Sequence, residues 1–318
     1  MFSNSKFICS KGFIECCDIR PIEPISDIRQ IINYNLPKVN YSYHLGKNVN
    51  YSFSIFPPPP SSRIISIYVC NSAIFDFIQN YLPQINYSFI LVSGDSDYTI
   101  FLNNPFIIKL LNSEFLTHWF CQNCIITHSK ITRLPIGLDY HTIFFNKNHS
   151  WGDNLSPEKQ ENELIKIQSN MPLLHLRKCI CYCNFKNINH GAVFKNERIA
   201  AFNEIPAELL FIDDFQPRKQ SWEKQTEFAF VISPHGNGLD CHRTWEAFLL
   251  GCIVIVKSSG IDDLYKGLPV LIVKEWKDIT KELLYSKLQE EIEKQNNKWE
   301  TNEYFLMNYW KQKISETK

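Results

Sequence analysis

Between about residues 61 and 165 the chain alternates short apolar runs with polar or mixed stretches. Arg63–Cys70 (RIISIYVC) and Tyr87–Val92 (YSFILV) read as buried strands, with a helix predicted over Ala73–Tyr81 between them. Ile107–Leu111 and His118–Cys121 read as short elements, and Ile131–Ile136 as a last strand leading into Gly137, Asp139 and His141. Runs that are apolar at every position, rather than at every second one, fit parallel strands covered on both faces. The stretch from Trp151 to Asn170 turns polar and helical, with Ser156-Pro157-Glu158 as a helix start.

A second alternation follows. Strands are predicted over Lys178–Asn184, Leu209–Ile212, Phe228–Ser233, Cys252–Val256 and Val270–Val273. Helices are predicted over Asn196–Asn203, Ser221–Thr226 and His242–Leu250, with further helical patterning from Thr280 onward. An aromatic cluster lies at Trp299, Tyr304, Phe305, Tyr309 and Trp310. The expected fold is α/β: two Rossmann-like domains facing across a cleft, with C-terminal helices. Its parts are an irregular segment over 1–60 closing at the connector Pro57–Pro60, a first domain over 61–165 and a second over 166–318.

Composition narrows the function classes. Lys plus Arg and Asp plus Glu both total 33, so net charge is zero and bulk attraction to nucleic acid or acidic membrane is not expected. No apolar run reaches membrane-spanning length and the N-terminus lacks a continuous signal-type core, so a soluble, cytoplasmic protein is expected. Asn-x-Ser sequons at Asn40, Asn50, Asn86, Asn148 and Asn154 would then stay unmodified. Eleven cysteines include the pair Cys121/Cys124 and the alternating Cys179, Cys181 and Cys183. Neither spacing supplies the two close pairs of a zinc site, so the thiols are read as reduced, buried small hydrophobes, and no metal is expected.

The densest chemistry sits in residues 233–256, SPHGNGLDCHRTWEAFLLGCIVIV. A strand end opens into His235, Gly236, Asn237 and Gly238, where glycines permit positive φ and close ligand approach. Asp240 is the expected N-cap of the following helix and Gly251 the residue past its end. His242 and Arg243 fall in the first turn, and Glu246, three residues on, shares a face with Arg243. Free N–H groups, a permanent guanidinium and a carboxylate suit the diphosphate and ribose of a nucleotide.

RTWEAFLLGCIVIV resembles the R-x-x-E-A-x-x-x-G-C-[IV]-P-[IV] signature of exostosin-like glycosyltransferases, with Val254 where the pattern has proline. The likeness extends more loosely over Cys179–Trp276. It implies a GT-B fold, a nucleotide-sugar donor as substrate held at Arg243 and Glu246, and an inverting reaction that needs no metal or other cofactor. A carbohydrate or other hydroxyl acceptor is the expected partner. Transfer with inversion requires fixed donors on the departing diphosphate, here Arg243, the helix start and His235, and a base for the acceptor hydroxyl. Candidate bases are Asp95 and Asp97 in the turn SGDSD, then His141 with Asp139 in PIGLDYH. A nucleotide-sugar epimerase on the same fold fits the same two residues. A non-catalytic carbohydrate-binding protein is the third reading: 14% of residues are aromatic, which suits sugar stacking, but the polar cluster His235, Arg243 and Glu246 speaks against it.

Overall fold

A computed structural model describes residues 2–20, 39–42, 48–51, 64–185, 194–295 and 302–318. The prolines at 57–60 and Trp299 lie outside these residues. The chain divides into two compact units, Met1–Ile136 with Met307–Lys318, and Gly137–Leu306.

A two-stranded antiparallel ribbon joins β1 (Val39–Ser42) and β2 (Asn48–Tyr51). The first unit is built on a four-stranded parallel sheet ordered β3 (Ile65–Cys70), β4 (Phe89–Gly94), β5 (Leu116–Cys121) and β6 (Ile131–Arg133). Every residue of β3 and β4 is buried, as parallel strands covered on both faces require. The helix predicted over 73–81 is an irregular run: short α2 (Ile74–Asp76) flanked by a 3-10 turn and continued by a wide π turn. Helix α3 (Pro105–Leu111) starts at Asn104, whose side chain accepts from the Phe106 N–H.

Residues 2–20 are more ordered than the sequence suggests. Helix α1 (Ser10–Glu15) buries Phe13 and Ile14. Ile19 extends the sheet past β3, donating to the Ser66 carbonyl at 3.0 Å and accepting from Tyr68 at 2.9 Å.

The second unit carries a five-stranded parallel sheet ordered β8 (Leu210–Ile212), β7 (Lys178–Cys183), β9 (Phe228–Ile232), β10 (Ile253–Lys257) and β11 (Val270–Val273). Taken in chain order this is 2-1-3-4-5, a doubly wound topology whose direction of winding reverses between β7 and β9. Connecting helices are α6 (Lys195–Glu204), α7 (Arg218–Gln225) and α8 (His242–Leu249). The unit opens with α4 (His141–Phe145) and α5 (Pro157–Gln168), and α9 (Lys281–Gln295) follows the sheet. Ser156 caps α5, accepting from the Lys159 N–H.

The sequence pattern places the domain boundary at 165/166, whereas the chain divides at 136/137. The reason lies in α5, whose Gln160 is bonded to Arg218 and whose Gln168 donates to the Leu249 carbonyl at 2.8 Å. The aromatic tail is divided: Phe305 packs on Trp245 in the second unit, while Trp310, in α10 (Met307–Glu316), meets Phe13 in the first. No helix among the described residues is long and apolar enough to cross a membrane.

All eleven cysteines are free, and eight are buried. Cys179, Cys181 and Cys183 share one face of β7 and pack into the second unit's core. Burial pushes the Cys252 thiol up to about 11, against the pull of Arg177. Buried thiols are out of reach of reagents in solvent, so a maleimide should label the buried eight only as fast as the protein unfolds. Gly251 has φ +75°, and a Cβ there would meet the Arg177 guanidinium at 2.6 Å. Gly251→Ala should therefore lower unfolding stability by roughly 1–3 kcal/mol, measured by denaturant titration.

Candidate functional site

In doubly wound sheets ligands sit beyond the carboxyl ends of the strands, where the order reverses. In the second unit that place lies past Cys183 on β7 and Ile232 on β9. The loop after β9 is anchored to α8 by a bond between Ser233 and Thr244 hydroxyls, 2.7 Å. From α6, Glu197 fixes His235 twice, accepting from its backbone N–H at 2.9 Å and meeting its Nδ1 at 2.7 Å. Two guanidinium groups reach the same loop. Arg198 donates to the His235 carbonyl at 3.1 Å and Arg243 to the Pro234 carbonyl at 2.9 Å. Both lie against the ring of Phe185, at 6.0 and 5.2 Å from its centroid. The buried Nε of Arg243 has no hydrogen-bond partner. Burial pushes the Cys183 thiol up to about 12, and Arg243 above the strand end opposes that shift.

The glycines act differently from expectation. Gly236 and Gly238 are not among the positive-φ residues. Gly236 matters for space: a Cβ there would meet the Arg198 guanidinium and Cys241 Sγ, both at 3.1 Å. Asp240 is not the cap of α8 either. The helix starts one residue later, after Cys241 at the N-cap. Asp240 turns inward, accepting from the Trp245 indole at 2.8 and 2.9 Å and from the Tyr265 hydroxyl at 3.2 Å.

Around the same helix start lies a second cluster. The Gly137 carbonyl accepts from His242 Nδ1 at 2.7 Å. Asp139, buried, accepts from the Thr142 N–H at 2.9 Å and hydroxyl at 2.7 Å, and contacts His141 Nδ1 at 3.1 Å. Burial alone would push the Asp139 carboxyl up, but His141, His242 and Arg218 outweigh it and hold the group well below the usual carboxylate range. The rings of His141 and His242 stand 5.7 Å apart, edge to face.

Arg218 is buried beneath this cluster. Its guanidinium donates to the Asp139 carbonyl, to Gln160 at 3.0 Å and to Glu246, and stacks on Trp222 at 4.6 Å. Glu246 also accepts from the Trp222 indole at 3.0 Å. Arg243 and Glu246 therefore serve different neighbourhoods, and a ribose at Glu246 would share oxygens that already accept two donors. Asn237 is half-buried at the loop's tip.

Asp95 and Asp97 lie in the first unit. Asp95, at φ +53°, is buried in an ion pair with Lys11 at 2.6 Å, and its N–H donates to Gln122 at 2.8 Å. Ser93 and Ser96 of the same turn also bond within the unit, while Asp97 is half-buried. Sequence reasoning misses Glu197, Arg198, Arg218 and Trp222. The available signal is position: each lies in the first turn or two of a helix entered from a strand's carboxyl end.

No family model matches the chain, and a search of curated proteins finds none similar. The arrangement brings two guanidinium groups, Arg198 and Arg243, to one loop and sets a carboxylate held ionised beside two imidazoles at Asp139. Glu246→Gln should strand the Arg218 charge and cost roughly 3–5 kcal/mol. Pairing it with Arg218→Met should recover part of that loss in the same denaturant titration.

Proposed function

We propose that the second unit holds the diphosphate of a nucleotide-sugar donor and that the protein is a glycosyltransferase of the exostosin-like, GT-B type. The observation that carries this reading is Arg243: a guanidinium on the first turn of α8, at the sheet's reversal point, with its Nε unpartnered. Arg198 brings a second guanidinium to the same loop. Two like charges converging on one turn favour an anion between or above them, and a diphosphate presents oxygens in the spacing a guanidinium fork accepts. Negative charge grows on that diphosphate as the sugar leaves, so fixed cations there lower the barrier.

His235 belongs to the leaving-group side, its ring held by Glu197. Glu246 is assigned to holding Arg218 rather than to a direct ribose contact. Removal of the acceptor proton is assigned to Asp97 or His141, because Asp95 is committed to Lys11.

The test is a thermal-shift screen of uridine and guanosine diphosphates and their sugars against wild type and Arg243→Ala. Wild type should be stabilised by at least one donor. The variant should bind it roughly ten- to a hundredfold more weakly, the worth of one charge-assisted contact. Equal binding by Arg243→Ala would remove the nucleotide from this loop. Acceptor-linked sugar in the product marks transfer, whereas a free epimerised sugar would mark an epimerase.

A further inference from the structure

Asp139, His141 and His242 each offer one ligand atom, and these atoms all lie within 4.8 Å of one another. All three belong to the second unit, and only Asp139 is fully buried. Two ligands of one transition-metal ion, each about 2.0–2.2 Å from it, stand about 3.0–3.4 Å apart. His141 Nδ1 and Asp139 Oδ1 already keep that separation, 3.1 Å. The third ligand must close on the same point from within 4.8 Å.

What surrounds the three residues is also what metal ligands require. A ligating imidazole usually donates its second nitrogen's proton to a carbonyl or carboxylate, which fixes the ring and its tautomer. His242 does so, giving its Nδ1 proton to the Gly137 carbonyl at 2.7 Å and leaving the lone pair on Nε2. Gly137 reaches that position at φ +68°, a conformation suited to glycine. The Asp139 carboxylate is oriented by two donors from Thr142, so it enters a complex without losing further freedom. The fixed cation beneath the cluster, Arg218, is paired with Glu246, which offsets its charge against an incoming ion.

We infer that Asp139, His141 and His242 form a binding site for a divalent transition-metal ion. Two imidazoles and one carboxylate suit zinc, manganese, iron(II) or cobalt better than magnesium or calcium, which prefer oxygen alone. Three protein ligands leave coordination positions open for water or an anionic oxygen. Arg243 follows His242 in the chain, so the ion would bind beside the start of α8. An ion there would also take His141 out of the candidates for the acceptor's base. The site runs against the metal-independent chemistry that the exostosin resemblance implies. It stands on its own ligands, and holds or fails whatever Arg243 binds.

The experiment uses the full chain, stripped with a chelator and titrated with zinc by calorimetry and with cobalt by visible absorption. One ion per chain is expected, with a cobalt spectrum of low-symmetry, nitrogen-ligated form. Asp139→Asn, His141→Gln and His242→Gln should each weaken binding by more than about tenfold, while His128→Gln, at an exposed position, should not change it. Circular dichroism of each metal-free variant checks that it folds. A second readout needs no variant: manganese added to the wild type should broaden the imidazole NMR signals of His141 and His242 and leave that of His128 sharp. Stoichiometry well below one, unchanged affinity in any of the three variants, or broadening of other imidazoles instead would overturn the assignment.

Discussion

Arg218 is the constraint on which the second unit's chemistry depends. A guanidinium taken out of water is costly unless each face and edge finds a partner, and this one is satisfied by elements far apart in sequence. It binds the backbone of the 137–141 loop, a glutamine on α5 and a glutamate on α8, and stacks on Trp151 and Trp222. Those bonds set where the loop carrying Asp139 and His141 lies relative to the helix carrying His242 and Arg243. Only its Nε lacks a partner. The two candidate sites are thus held by a residue that contributes to neither directly.

The two sites divide α8 between them. Successive residues on the first turn of a helix point about 100° apart, so His242 and Arg243 cannot serve one spot. His242 turns to the Gly137 loop, while Arg243 reaches across the end of β9 to Phe185. A basic cluster and an acid–imidazole cluster can therefore adjoin without cancelling each other. The loop after β9 stays fixed because Glu197 on α6 and Thr244 on α8 tie it from both sides.

Much of this is legible in the sequence. The central strands Phe228–Ile232 and Ile253–Lys257 announce themselves by being apolar almost throughout, and their register follows from the parallel pairing. Gly251 is readable as a helix stop because few other residues tolerate its φ of +75°. Asp240 misleads because an aspartate before a helix looks like a cap, and nothing local reveals that Trp245 and Tyr265 need its carboxylate. Arg218 is invisible for the same reason: its hydrogen-bond partners lie 28 to 79 residues away. Local spacing shows which residues could act, while long-range burial decides which are already spoken for. The aspartate pair in SGDSD illustrates this, since Lys11, 84 residues earlier, claims Asp95 and leaves Asp97.

The first unit is discontinuous, because α10 rejoins it after the whole of the second unit has intervened. Met307 donates its N–H to the Lys6 carbonyl at 2.9 Å, and its sulfur lies so close to Gly12 that a Cβ there would come within 2.7 Å of it. The sheet of the first unit, β3 to β6, is complete before residue 137, whereas α10, which packs on Phe13, comes after the whole of the second unit. Loop-closure entropy rises only logarithmically with length, so the long detour costs little at equilibrium. Its effect is on connectivity, since the Phe13–Trp310 contact joins segments that the whole second unit separates.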